Sequence, residues 1–318
     1  MTIICTGSIA YDYLMTFPGR FQDHILPEHL SSISLSFLVD SMVKQRGGVG
    51  PNIAYTLALL GLHPRVIGTA GQDFGDYRAW LEKRGVDTSG VKIIEDKFTA
   101  SFFATTDVTN SQIASFYPGA MADAAQVSLR DAQVSANDLV MISPTDPAAM
   151  NLYVAECKAL GIPYVYDPSQ QVVRMEGKDL RTGVEGAKFL FVNEYEFELL
   201  QKHTQLSKED IIRLVPHVVV TLGADGAVIY TDQKEYRIPV APVEKIQDPT
   251  GVGDAFRGGF LTGFSKGFDW DICGKMGSLA AAYCLEQKGT QNHQYTPAEF
   301  VARFRRHFDD HGVLDQLS

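Results

Sequence analysis

The sequence predicts an α/β fold with a central, mostly parallel sheet and a small β-sheet appendage. Short apolar runs at 139–142, 189–192 and 218–220 alternate with segments of helix or loop length. Such alternation is typical of a parallel sheet that is covered on both faces. Two excursions, 11–46 and 96–118, carry alternating strand patterns instead, which predicts a separate small sheet. A β appendage on an α/β body would suit a lid over a cleft.

The first part of the chain begins with a buried strand at 3–7. Segment 33–39 alternates between apolar and polar residues and predicts a half-buried or edge strand. Gly47 and Gly48 then interrupt the chain, and Pro51 suits the first turn of the helix that follows. These features place the first excursion between two elements of the α/β body.

Three strand patterns at 91–94, 101–105 and 113–117 follow without a helix between them and predict a meander. From about Asp138 the α/β rhythm returns, with a helix predicted over 147–160. The domain assignment that results gives the α/β body residues 1–10, 47–95 and 119–318 and the lid residues 11–46 and 96–118.

Composition indicates a globular protein that does not bind nucleic acid. Of 318 residues, 45% are hydrophobic and 21% are charged, and the net charge of -10 argues against polyanionic partners. The N-terminal apolar run is too short for a signal peptide, and no run reaches membrane-spanning length, so we expect a cytoplasmic protein without a membrane partner. The four cysteines lack metal-ligand spacing and are predicted to be reduced core residues. They are Cys5, Cys157, Cys273 and Cys284.

The segment 248–260 carries the strongest chemical signal. Gly251 and Gly253 allow backbone N–H groups to turn outward where a helix begins, which predicts a nest for an anion such as phosphate. Asp254 places a carboxylate beside that nest and is a candidate base for activating a hydroxyl group. The short Gly-x-Gly-Asp string leaves another interpretation open, in which Asp254 only balances the helix dipole.

Two further segments follow predicted strands, where open α/β sheets bind ligands. The glycine loop 221–226 comes directly after the strand at 218–220, and a simple turn is the alternative interpretation. Asn193 and Glu196 have the spacing of a helix N-cap and its capping box, which the residues alone favour over a ligand-binding role. The chain has no P-loop motif, and its glycine pattern fits a dinucleotide-binding fingerprint poorly.

The longer pattern Asp-x-x-Gly-x-Gly-Asp-x-Phe-x-x-Gly resembles the second signature of the ribokinase (PfkB) family of sugar and nucleoside kinases. It consists of Asp248, Gly251, Gly253, Asp254, Phe256 and Gly259. The segment Gly47-Gly48-x-x-x-Asn52 is similar to the first signature. The resemblance implies a ribokinase-like three-layer fold with a β lid, and transfer of the γ-phosphoryl group of ATP to a hydroxymethyl group. Asp254 would be the base, and the N–H groups of Gly251, Val252 and Gly253 would stabilise charge on the transferring phosphoryl.

The resemblance also implies sites for the nucleotide and its metal. Glu196 would act on Mg²⁺ through water, and activation by K⁺ is common in the family although no residue here settles it. The expected ATP-binding residues are Asn193, Thr221, Gly223, Ala224, Asp225, Gly226, Thr250, Gly251 and Gly253.

Along its whole length the chain is most similar to bacterial adenosine kinases of this family, notably at 114–121 and 167–171. This implies an adenosine kinase that makes AMP in purine salvage. The expected ribose-binding residues are Ser8, Asp12, Gly48 and Asn52, and those around the purine are Ser36, Phe102, Phe116, Gln170 and Gln171, with Arg174 also reaching the site.

Because neighbouring residues of a strand point to opposite faces, only one of Phe102 and Phe103, and one of Phe116 and Tyr117, can face the cleft. Two alternatives remain, a kinase for ribose or a hexose and a nucleoside-binding regulator without catalysis; retention of Asp254 argues against the regulator. Lid-mediated dimers occur in the family, and the predicted strand at 33–39 would suit a homodimer through the lid.

Overall fold

A large sheet forms the centre of the protein in a computed structural model that describes residues 1–25, 34–231 and 234–317. The strands of the described residues are β1 (Ile3–Thr6), β2 (Ala10–Thr16), β3 (Ser41–Gly47), β4 (Arg65–Gly71), β5 (Asp87–Ile94), β6 (Ala100–Thr106), β7 (Gln112–Tyr117), β8 (Leu139–Ile142), β9 (Tyr164–Tyr166), β10 (Phe189–Asn193), β11 (His217–Thr221), β12 (Ala227–Thr231) and β13 (Glu235–Ile238). In the large sheet the order is β13-β12-β11-β10-β9-β8-β1-β4-β5. Pairing is parallel from β5 to β11, and β12 and β13 add an antiparallel edge.

Helices cover both faces of this sheet. In the described residues they are α1 (Val49–Leu59), α2 (Gly75–Glu82), α3 (Pro147–Leu160), α4 (Gly177–Val184), α5 (Glu194–Thr204), α6 (Lys208–Leu214), α7 (Val252–Ser265), α8 (Trp270–Leu285) and α9 (Pro297–His307). Alternate residues of β1 enter different cores: Ile3 and Cys5 pack with α1, α2, α7, α8 and α9, whereas Ile4 packs with α3 to α6. The predicted α/β class with three layers is therefore confirmed.

A second sheet of four strands, in the order β3-β2-β6-β7, forms the appendage. β2 pairs antiparallel with β3 and parallel with β6, while β6 and β7 form an antiparallel pair. The small sheet draws strands from both predicted excursions; the exact boundaries of body and lid stay a prediction. We call this four-stranded sheet the lid.

The prediction of a strand at 33–39 is wrong for the residues that the structure describes. Ile33 lies outside the described residues, and 34–39 form no strand; the lid strand is Ser41–Gly47 instead. Phe37 packs edge-on against Phe17, with ring centroids 5.0 Å apart, whereas Leu35 and Leu38 are exposed, so the alternation does not mark one buried face. Alternation of apolar and polar residues alone does not show that a segment pairs with a strand.

The predicted meander is also wrong in its first strand. Segment 91–94 belongs to β5, which pairs in parallel with β4 at the edge of the large sheet. Val91 and Ile94 are buried against the body, and strand periodicity does not reveal which sheet a strand joins. Only β6 and β7 of the three patterns lie in the lid.

The cysteines agree with the expectation that they are reduced core residues. All four cysteines are buried and unpaired. Within the described ranges, no helix has the length and apolar character needed to cross a membrane.

Candidate active site

The start of α7 has the geometry of an anion nest. Gly251 has φ of 77°, and a Cβ at this position would lie 2.8 Å from Cβ of Thr290, so only glycine fits. The Asp248 carboxylate fixes the loop, because it accepts hydrogen bonds from the N–H groups of Thr250 and Gly289, both at 2.9 Å. Although burial opposes the charge, these bonds lower the pKa of Asp248. The first N–H groups of a helix lack partners within the helix and bind anions.

Asp254 lies in the first turn of α7, beside the nest. Its Oδ2 accepts a hydrogen bond from Nδ2 of Asn52 at 2.8 Å. Burial raises the pKa of Asp254 to about 6, while Arg257 and the bond from Asn52 oppose the rise and Glu196 adds to it. At neutral pH the carboxylate is therefore mostly ionised yet basic enough to accept a proton. Asn52, predicted to hold ribose, contacts the candidate base here.

A buried ion pair that the sequence reasoning missed lies below the nest. Nη2 of Arg257 donates to Oδ1 of Asp167 at 2.7 Å, and Nε lies 2.7 Å from Oδ2. The two side chains are 8% and 1% exposed, so each charge is stabilised mainly by the other. Although burial opposes the charge, Asp167 raises the pKa of Arg257, followed by Asp254. The available signal was Arg257, the one basic residue of α7, between the apolar Phe256 and Gly258.

The lid presents a row of four side chains on one face. Gln45, Asp12, Phe102 and Phe116 are direct partners across the four strands and therefore lie on the same face. Gln45 of this row lies against Gly289, whose N–H donates to Asp248, so this face looks toward the nest loop. Burial, and then the charge of Asp248, raise the pKa of Asp12 to about 6.

The opposite face of the lid carries the neighbouring aromatic residues. Phe103 stacks on Tyr13 with ring centroids 4.8 Å apart. Phe102 and Phe116, rather than Phe103 and Tyr117, thus share a face with Asp12.

The start of α1 lies next to the first strand of the lid. Gly48 has φ of 96°, and a Cβ there would be 2.3 Å from the carbonyl oxygen of Ser8. Ser8 Oγ in turn accepts a hydrogen bond from the N–H of Val49 at 3.2 Å. The structure brings Ser8 and Gly48 together with α1, which also carries Asn52.

The remaining residues expected around the purine differ in their surroundings. Gln171 is buried, its Nε2 donates to the carbonyl oxygen of Thr145 at 2.7 Å, and its Oε1 has no hydrogen-bond partner. Ser36, Gln170 and Arg174 are exposed at the surface.

The loops expected to hold ATP lie at the C-terminal ends of neighbouring strands. Asn193 ends β10 and pairs with Thr221, which ends β11. A short 3₁₀ turn, Gly223–Asp225, follows and is exposed. A Cβ on Gly226 would lie 2.0 Å from the carbonyl oxygen of Ile238, so this position also requires glycine.

Glu196 forms the capping box that its spacing predicted. Its Oε2 accepts a hydrogen bond from the N–H of Asn193 at 2.8 Å, and its Oε1 accepts one from Oγ of Ser169 at 3.2 Å. Among the residues the structure describes, no group of three or more His, Cys, Asp or Glu side chains could hold a metal ion. Glu196 is a single carboxylate of the kind that Mg²⁺ uses together with phosphate oxygens and water.

An α/β body, a lid and a carboxylate at an anion nest define a kinase for a small hydroxyl-bearing substrate. The chain belongs to the pfkB family of carbohydrate kinases, whose sequence pattern matches residues 8–297. Membership implies ATP as the donor and typically Mg²⁺, and the enzyme is a nucleoside or sugar kinase of this family.

Its relatives include nucleoside kinases. The chain is 32% identical over 308 residues to a nucleoside kinase of Methanocaldococcus jannaschii, covering 96% of this chain and 97% of that protein. The structure of a Burkholderia thailandensis nucleoside kinase in complex with inosine is 38% identical, with a TM-score of 0.84 and coverage of 97% and 98%. The crystal structure of the Methanocaldococcus jannaschii enzyme has a TM-score of 0.85 at 28% identity, covering 96% of this chain and 98% of that one.

Proposed function

We propose that the protein phosphorylates the 5′-hydroxyl group of adenosine with ATP, giving AMP and ADP, and serves purine salvage. The observation that carries this proposal is the lid row, in which Asp12 lies in register with Phe102 and Phe116. A carboxylate suits the two vicinal hydroxyl donors of ribose, and aromatic rings suit the faces of a purine. A sugar kinase would need the carboxylate but not the rings.

In the proposed reaction Asp254 accepts the proton of the 5′-hydroxyl group. The hydroxyl oxygen then forms a bond to the γ-phosphorus as the bond from that phosphorus to the bridging oxygen breaks, and ADP leaves. The N–H groups of Gly251, Val252 and Gly253 stabilise the negative charge on the transferring phosphoryl group. When bound, Mg²⁺ supplies charge neutralisation for the phosphates, with Glu196 orienting its water ligands.

Gln171 supports adenine as the base. Because the carbonyl oxygen of Thr145 accepts from its Nε2, the amide leaves Oε1 as a buried acceptor without a partner, and we propose that the base reaches it when the lid closes. The 6-amino group of adenine is a donor and satisfies such an acceptor. The 6-oxygen of hypoxanthine only accepts and cannot do so. Hypoxanthine still has its N1–H as a donor, and a nucleoside kinase 38% identical to this chain binds inosine. Inosine is therefore the second candidate substrate.

One assay panel tests the proposal. ADP release from MgATP is measured with adenosine, inosine, guanosine, ribose and fructose, and adenosine should have the highest kcat/KM. If inosine is preferred, the assignment of the base is wrong, and if ribose or fructose is preferred, the enzyme is a sugar kinase. Binding of adenosine without any ADP release would instead identify a nucleoside-binding regulator.

We also infer a homodimer through the lid. Its outer face exposes Met42, Phe103, Ile113 and Tyr117, which is apolar surface that a second copy of the chain would cover. Light scattering should give the mass of a dimer, and a monomer at all concentrations would contradict this arrangement. Activation by K⁺ and a cytoplasmic location stay predictions.

A further inference from the structure

A chain of buried hydrogen bonds connects the lid to Asp254. The hydroxyl group of Tyr77 donates to the carbonyl oxygen of Gly47 at 2.9 Å. Nε2 of Gln291 lies 2.5 Å from that hydroxyl oxygen and 2.7 Å from Oδ1 of Asn52. Nδ2 of Asn52 then donates to Asp254 at 2.8 Å. The exposed fractions of Tyr77, Gln291 and Asn52 are 0%, 3% and 4%, so water does not compete for these bonds.

The carbonyl oxygen of Gly47, the first acceptor, fixes the direction of every hydrogen bond in this series. A backbone carbonyl only accepts, so the hydroxyl hydrogen of Tyr77 points to Gly47. The hydroxyl oxygen then receives a hydrogen from Gln291, which must present its amide nitrogen. The second hydrogen of that nitrogen goes to Asn52, which must present Oδ1 and therefore turns Nδ2 toward Asp254.

We propose that Gln291 is a positioning residue that, through Asn52, fixes which atom faces the carboxylate of Asp254. This rests on the proposed role of Asp254 as the base. With Nδ2 of Asn52 held on Oδ2, the other carboxylate oxygen stays available for the proton of the substrate hydroxyl group. The series of hydrogen bonds begins at Gly47, the last residue of lid strand β3. A shift of the lid would therefore be transmitted through these bonds to Asp254.

Sequence separation explains why no motif marks Gln291. It lies 239 positions from Asn52 and 214 from Tyr77, in a loop that precedes α9. The charged and titratable groups around Asp254 are Arg257 on α7, Glu196 on α5, Asp167 after β9 and Cys284 on α8. None of these four contacts Gln291 in the hydrogen bonds described, so a substitution of Gln291 acts on Asp254 through Asn52.

Two substitutions of Gln291 separate positioning from packing. Gln291→Leu removes the donor, so kcat should fall about 10- to 100-fold because the base loses its alignment. Gln291→Glu keeps the shape, but an ionised carboxylate only accepts. It would draw Nδ2 of Asn52 toward itself and turn Oδ1 toward Asp254, so its kcat should be lower than that of Gln291→Leu. The KM for ATP should stay within about twofold in both variants, because the side chain of Gln291 makes no hydrogen bond to the described residues of the loops expected to hold ATP.

His293→Leu is the matched control. His293 lies in the same loop and is 1% exposed, but its ring contacts Thr56 rather than the chain of bonds. It should lower the stability of the loop while leaving the pH profile of kcat in place. In Gln291→Leu the acid limb of that profile should move to higher pH, because Asn52 no longer donates reliably to the ionised carboxylate. Kinetics across about pH 5 to 9 and thermal unfolding of all variants give both readouts.

Equal losses of kcat in Gln291→Leu, Gln291→Glu and His293→Leu, with unmoved pH profiles, would overturn the proposal in favour of packing. If Gln291→Glu does not fold, Tyr77→Phe decides, because it removes the hydroxyl group that sets the bond directions. Its acid limb should move upward, and an unmoved limb counts against the proposal. If the native enzyme phosphorylates nothing, the proposed function fails. The proposal is then decided by the ¹³C carboxyl resonance of Asp254, whose titration midpoint should rise in Gln291→Leu, and an unchanged midpoint refutes it.

Discussion

Replacing Asp254 by asparagine should stabilise the folded protein at neutral pH while removing most of its activity. Burial raises the pKa of Asp254 from 3.8 to about 6, so the folded protein holds this proton more tightly than the unfolded chain does. The cost of ionising the group appears as pH rises from about 4 to about 6 and is fully present above that range. A rise of about 2 pH units corresponds to at most about 3 kcal/mol, at about 1.4 kcal/mol per unit.

The neutral asparagine carries no such cost, and its side-chain oxygen still accepts the hydrogen bond from Asn52. Urea unfolding from about pH 4 to pH 8 should therefore show equal stability at the acid end and a gain for Asp254→Asn of up to about 3 kcal/mol at the neutral end. ADP release should fall about 10²- to 10⁴-fold. In the native enzyme kcat/KM should decline below about pH 6. Equal stability at every pH would refute the burial argument, and near-normal turnover would refute the role as a base.

Three further outcomes test the other parts of the site. Glu196→Gln, which preserves the capping box, should raise the Mg²⁺ concentration needed for half-maximal rate; an unchanged requirement would leave capping as the role of this residue. The 2′- and 3′-deoxyadenosines should be poor substrates, and Asp12→Ala should remove much of that discrimination; equal use of all three nucleosides by the native enzyme would contradict it. Phe102→Ala and Phe116→Ala should each weaken adenosine about 5- to 150-fold with little effect on any ribose activity, whereas Phe103→Ala on the opposite face should not; equal damage to both activities would argue against a purine site.

Local signals made part of this structure predictable. Helix α3 runs over the predicted residues because Asp146 caps it, proline follows at its first position, and Gly161 ends it with φ of 66°. The tight turn before α7 was predictable from a local signal too, since Gly251 is required where it stands. Strand Ser41–Gly47 was not, because a stretch with polar residues becomes a strand only through its pairing with β2.

The residues that hold Asp254 in its ionised form could not be predicted from local sequence. As the proposed base, Asp254 can accept a proton only while its carboxylate is ionised, yet burial favours its protonated form. Arg257 and Asn52 oppose that shift, and each in turn depends on a distant residue: Arg257 on Asp167, 90 positions away, and Asn52 on Gln291, 239 positions away. No window of sequence contains such a set, so the motif around Asp254 predicts a candidate base but not the groups that keep its carboxylate ionised. The ionisation of Asp254 thus depends on the folded structure, in which α1, α7, the end of β9 and the loop before α9 come together.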